Sequence, residues 1–185
     1  MKALVVFESM FGNTETVAGA IARGLQLEGV DTGLVEVHAA PHRLAADLDL
    51  LVVGGPTHAF GMSRASTRAD AVRQGAPAQR ATTGIRDWLA CVELDPGRAP
   101  ALATFDTRVT RVRRLPQAAG PSAARAGRRR GLEPVARPRA FLVDDVRGPL
   151  AAGEPEHAVR WGRGLAVAFV DRAAACGPVS APGRD

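Results

Sequence analysis

Ser9, Gly12, Asn13 and Thr14, in the stretch VVFESMFGNTETVA, are the first residues whose types and spacing could do chemistry. Ser9 and Thr14 carry hydroxyl donors, and Gly12 lets the backbone turn tightly and come close to a ligand. A helix-like pattern follows them. The first N–H groups of a helix lack internal acceptors, and its dipole favours an anion at that end. The loop Ser9-Met10-Phe11-Gly12-Asn13-Thr14 therefore has the donors to hold a phosphate without a cation. The alternative is a plain helix start capped by Asn13.

Two further loops hold small and polar residues of the same kind. One is PTHAFGMS, from Pro56 through Thr57, His58, Ala59, Phe60 and Gly61; the other begins at Phe105, Asp106 and Thr107. His58 titrates near neutrality, so it could donate a proton or a hydrogen bond, or simply pack as a loop histidine. Phe105 follows an apolar run and reads as core. Asp106 could accept a hydrogen bond from a ligand, but the preferred reading is the start of a turn.

The elements that must position these loops follow from periodicity. Residues 2–7 are a continuous apolar run, the signature of a strand covered on both faces. From Thr14, the residues Val17, Ala18, Ile21 and Leu25 share one helical face, and Gly29 ends it. Strands are expected at 33–37, 49–55 and 99–105. Helices are expected at 39–47 (with Leu44 and Leu48 inward), 64–74, 84–93 and near 121–130. Trp88 and Trp161 both read as core. LEPVA and AFLV, split by Pro138, form a bent edge strand. A long helix runs from Pro155 to Ala175, with Val159, Leu165, Phe169 and Val170 buried.

Strands alternating with helices imply a parallel sheet with right-handed crossovers. The fold class is α/β, a doubly wound sheet with helices on both faces. For strand order 2-1-3-4-5, the ligand crevice lies beyond the carboxyl ends of strands 1 and 3. The loops bordering it would be 9–14 and 55–62, with the loop from 105 beside them.

The 185 residues suit one domain, residues 1–176, with a flexible tail at 177–185. Hydrophobic content of 46% and mean hydropathy of −0.03 describe an ordinary globular chain. No apolar run reaches bilayer length, and the start MKALVVF is broken by Glu8 before any cleavage site, so a cytoplasmic protein without a membrane partner is expected. Cys91 and Cys176 form no ligand pattern; Cys91 reads as a buried hydrophobe. The net charge of +5 comes almost wholly from arginine, since Lys2 is the only lysine. Residues 108–139 hold ten arginines and a single acid, Glu133. With no aromatic to stack bases, the stretch reads as a solvated face and implies no specific nucleic-acid partner. A docking face for an acidic redox partner is the other reading.

Several phosphate-binding classes are excluded by missing residues. There is no GxxxxGK[S/T] and no GxGxxG. Glu8-Ser9 stands where a related phosphatase needs cysteine. Gly54-Gly55 stands where a receiver domain needs aspartate. The pattern that remains resembles the flavodoxin family. Ser9-x-x-Gly12-Asn13-Thr14 is similar to its FMN-phosphate loop, Ser/Thr-x-Ser/Thr-Gly-x-Ser/Thr, with Phe11 replacing the middle hydroxyl. VVGGPTHAFGM resembles its second loop, and GPLAAGEPEHAVRWGRGLA the run into its last helix.

The resemblance covers most of residues 1–170 and implies an FMN site made of Ser9–Thr14, Pro56–Gly61 and Phe105–Thr107. It implies electron transfer or a small flavin-dependent reductase reaction, with a redox partner protein or a small-molecule electron acceptor and no catalytic side chain. Two departures stand out: the chain contains no tyrosine to stack on the flavin ring, and it is basic where carrier flavodoxins are acidic. The alternative is a flavodoxin-fold binding or regulatory module that does not use flavin.

Overall fold

The computed structural model describes residues 1–59, 61–95, 97–112 and 118–175, and their side chains except those of 112 and 172–175. The expectations for Phe60, Cys176 and the 177–185 tail lie outside the described residues.

Five strands form one parallel sheet: β1 (Lys2–Phe7), β2 (Asp31–Glu36), β3 (Leu50–Pro56), β4 (Ala101–Val109) and β5 (Arg139–Val143). Their order is β2-β1-β3-β4-β5, as expected. The helices are α1 (Asn13–Leu27), α2 (Ala65–Arg73), α3 (Ile85–Cys91), α4 (Ala119–Arg129) and α5 (Glu154–Ala175). The inner strands are apolar on both faces because both faces are covered. Val5, Val52 and Phe105 pack under α1 and α5, while Val6, Val53 and Leu102 pack under α3 and α4. Each such side chain contributes about 1.5–3 kcal/mol when fully buried.

The α1 face expected from its spacing is buried at Val17, Ala18, Ile21 and Leu25. Two glycines let α5 lie unusually close to it. A Cβ on Gly24 would fall 2.2 Å from the Val159 carbonyl oxygen, and one on Gly162 would fall 2.3 Å from that of Ile21. Phe105, Phe141 and Trp161 form a triangle of edge-to-face rings with centroids 6.1–6.3 Å apart. Phe105 also explains Gly54, where a Cβ would meet its ring at 2.2 Å.

Several expectations are corrected. Residues 39–47 are not an α-helix: one 3-10 turn covers Val37–Ala39, and Ala40 is extended before Pro41. Proline disfavours the helical region for its predecessor, although Leu44 and Leu48 are buried all the same. LEPVA adds only an isolated bridge, Leu102 to Pro134, and Pro138 marks the break before β5. Cys91 is exposed, because the period that turns Ile85, Trp88, Leu89 and Val92 inward turns it outward. Val170 is exposed, since the Glu28–Arg163 ion pair marks the end of α1 and α5 continues beyond it.

The largest correction concerns 105–109, where β4 continues through Phe105, Asp106 and Thr107 instead of forming a loop. Pairing with β3 extends to Pro56 opposite Thr107, and the Thr57 N–H adds a bond to the Thr107 carbonyl at 2.9 Å. Asp106 is therefore a buried strand residue rather than the start of a turn.

Candidate functional site: a cavity beyond β1, β3 and β4

The loop after β1 is built by its own side chains. Ser9 Oγ accepts the Gly12 N–H at 3.1 Å and the Glu15 N–H at 3.3 Å, which folds the loop over the helix start. Met10 is buried against Ala71 and Ala76, with Phe11 packed beside it. Gly12 has φ 90°, a conformation that favours glycine, and a Cβ there would meet nothing within 4 Å. Gly12, not Asn13, occupies the cap position, with no side-chain cap bond. Among the described residues, the N–H groups of Met10, Phe11, Asn13 and Thr14 find no protein acceptor. Four free donors along the loop at the cavity wall fit an anion. Arg80 supports the loop from outside, 3.5 Å from the Ser9 carbonyl and 2.8 Å from Glu15 Oε2.

The second loop leaves β3 at Pro56. His58 and Gly61 exchange backbone hydrogen bonds at 2.9 and 3.0 Å, making a tight turn with Ala59 at φ 41°. A non-glycine residue in that region stores roughly 1–3 kcal/mol of strain. Burial, with a smaller contribution from the Arg68 guanidinium, holds the His58 pKa below its ordinary value. His58 is thus a neutral hydrogen-bonding group at neutral pH rather than a poised proton donor.

At the end of β4 the side chains divide between the two faces of the sheet. Thr107 shares a buried hydrogen bond of 2.7 Å with Thr14, joining the third segment to the first loop. Asp106, with no exposed surface, accepts Arg108 Nε and Nη2, both at 2.7 Å. It also accepts the Gly120 N–H at 3.1 Å and the Thr57 hydroxyl at 3.3 Å. Thr57 Oγ1 in turn accepts the Ala119 N–H at 3.0 Å, so Thr57 and Asp106 together cap α4.

These segments enclose a cavity of about 300 Å³, at the low end of the roughly 300–1,000 Å³ range of small-molecule sites. Ser9, Met10, Phe11, Asn13 and Thr14 line it, as do Pro56, Thr57, His58, Ala59 and Thr107. Gly12 and Gly61 shape its loops without being among the lining residues, and Phe105 lies in the core. Sequence reasoning missed three parts of the wall: Thr67 and Asp70 of α2 with Gln74 just after it, Val143 and Val146 around the end of β5, and Arg108. The last was legible. Asp106-x-Arg108 is strand spacing for two side chains on one face.

Behind the first loop lies a buried polar cluster. Glu8 is 1% exposed; its Oε2 accepts the Ile85 N–H at 2.9 Å, while Oε1 has no partner. Burial is the main cause that pushes its carboxyl pKa up, against the Ser63 hydroxyl, the Ile85 N–H and the nearby Arg68 charge. Arg68 is itself buried and bonds Ser63 Oγ, Asp87 Oδ2 and the Ala81 carbonyl.

The family profile described as Flavodoxin matches residues 5–82, which include both the first and second loops. The match spans less than half of the chain and shows a likeness to flavodoxins over those residues. Solved flavodoxins share the fold across the whole sheet. A flavodoxin from the domain Archaea is 18% identical, with 92% of this chain and 99% of that one covered and a TM-score of 0.62. Flavodoxin 2 from Bacillus cereus is 20% identical over 93% and 99%, with a TM-score of 0.57. Rubredoxin oxygen:oxidoreductase from Desulfovibrio gigas is 18% identical over 94% of this chain but only 37% of its own, with a TM-score of 0.59. No curated protein matches the sequence. Among the described residues, no helix is long and apolar enough to cross a membrane.

Proposed function

We propose that the chain binds FMN and uses it in electron transfer or a small reductase reaction. The observation that carries this reading is the group of four unaccepted N–H donors in the Ser9–Thr14 loop, opening on the cavity that loop 56–59 also lines. The flavodoxin family typically binds FMN, and the donor set fits its phosphate. A dianion there would satisfy N–H groups that otherwise have only water. Ser9 and Thr14 would add hydroxyls, and Pro56–Ala59 would border the ring. Neutral His58 would offer a hydrogen bond. Bound flavin supplies the redox chemistry, and the protein positions it and tunes it.

Electrons would come from, or go to, a redox partner protein or a small-molecule acceptor. Among the described residues, Phe11 is the ring in the cavity wall, with the Arg147 guanidinium 6.0 Å from its centroid. No tyrosine is available to cover the flavin, which leaves room for a small substrate. An absorbance spectrum of the purified protein, before and after adding FMN, tests the reading. A flavin spectrum shifted by protein supports it; a spectrum identical to free FMN at saturating protein removes it.

A further inference from the structure

The sequence groups Arg108 with a solvated arginine stretch, yet its side chain is only 11% exposed and lines the cavity. Arg125, Arg128 and Arg129 of α4 do point to solvent. What separates Arg108 from them is Asp106. Two donors from Arg108, the Gly120 N–H and the Thr57 hydroxyl supply four hydrogen bonds to a carboxylate that has about four acceptor sites. The carboxylate is saturated, so it fixes the guanidinium instead of competing for a ligand. A planar guanidinium carries five N–H groups. Nε and Nη2 serve Asp106, and Nη1 has no protein acceptor among the described residues. The pair is neutral overall but polarised, with its negative member fully buried and its positive member at the cavity wall.

The place of this fork along the cavity follows from its neighbours. Thr107 touches Thr14 and so adjoins the anion loop, and Arg108 is the next residue along β4, followed by Val109 at the same wall. A ligand anchored by its phosphate at Ser9–Thr14 therefore extends past Arg108 with its other end. We propose that Arg108 is a potential-setting residue, which holds the electron-rich edge of the flavin ring and favours its reduced, anionic form. This rests on the FMN reading above. A reduced carrier supplies two electrons, and one proton is taken from solvent. The product is then a flavin monoanion whose charge faces Arg108, in a wall where low dielectric strengthens the attraction.

The test compares full-length protein with Arg108→Gln, each loaded with FMN, by dye-coupled measurement of the two-electron midpoint potential. We expect Arg108→Gln to lose roughly tenfold of the preference for reduced over oxidised FMN, a fall of about 30 mV for a two-electron couple. Arg108→Lys, which keeps the charge, should recover most of it. Because Arg108→Gln strands a buried carboxylate, the double variant Asp106→Asn/Arg108→Gln is measured beside it and should show a smaller fall in the same direction, since it removes the nearer positive member without leaving an unpaired charge. An unchanged potential in variants that bind FMN overturns the proposal. So does loss of the preference for FMN over riboflavin in Arg108→Gln, which would put Arg108 at the phosphate. Wild-type protein that takes up no FMN overturns the FMN reading itself, and this proposal with it.

Discussion

Thr14 and Thr107, 93 residues apart in sequence, share a 2.7 Å hydrogen bond with both side chains buried. This one contact ties the start of α1 to the end of β4, so the Ser9–Thr14 loop and the Arg108 wall keep a fixed separation. Replacing Thr107 with valine strands the Thr14 hydroxyl and should cost about 1–3 kcal/mol of stability. Adding Thr14→Val should cost much less than its effect in the wild-type background. Urea unfolding of the two single variants and the double variant measures this; additive effects would show that the bond does not form.

Glu8 predicts a pH dependence. Its folded pKa is raised by burial above the unfolded value near 4.5. The stability it contributes is therefore fully present below that value and is lost as pH rises through the folded pKa. Glu8→Gln keeps an acceptor for the Ile85 N–H and cannot ionise. The variant should gain on wild type as pH rises from about 4.5 to about 8 in urea unfolding. Parallel stability curves for the two proteins would mean that Glu8 is ionised in the fold. Glu8→Ala, which strands the Ile85 N–H, should cost about 1–3 kcal/mol near pH 4.5, a cost relative to wild type that shrinks as pH rises.

The sheet order and the glycine turn before α1 were legible because both follow from short-range rules. Apolar runs, a glycine at a turn and a period change at Thr14 needed no distant partner. The misread parts depend on one. β4 runs on through Asp106 because Gly120, Thr57 and Arg108 satisfy its carboxylate, and Gly120 and Thr57 lie far away in sequence. Gly24 and Gly162 read as ordinary helical glycines until α1 and α5 are placed together. At 39–47 the reason is local: Pro41 keeps Ala40 extended and prevents the helix.

The missing tyrosine predicts weakened rather than abolished flavin binding. One aromatic stack contributes roughly 0.5–1.5 kcal/mol beyond its buried area, so its loss should cost up to about tenfold in affinity. The protein should purify partly or wholly free of flavin and take up added FMN, as read from absorbance at the flavin bands. Sub-nanomolar affinity would show that another side chain fully replaces the stack.

The exposed arginines of α4 should not make a sequence-specific nucleic-acid site. Binding to DNA or RNA, followed by fluorescence anisotropy, should be weak, indifferent to sequence and lost as salt rises. Tight, selective binding at physiological salt would contradict this.

The central claim is that the loop from Ser9 to Thr14 is a phosphate cradle, and paired calorimetric titrations with FMN and riboflavin test it most directly. Hydrogen bonds to a charged group contribute about 1.5–3 kcal/mol each, so two of the four free N–H groups suffice for a difference of about a hundredfold or more. FMN should bind tighter than riboflavin by at least that factor. Gly12→Val should abolish the difference, because a β-branched residue does not hold the φ of 90° that shapes the loop. Equal affinity of the wild-type protein for FMN and riboflavin would contradict the account.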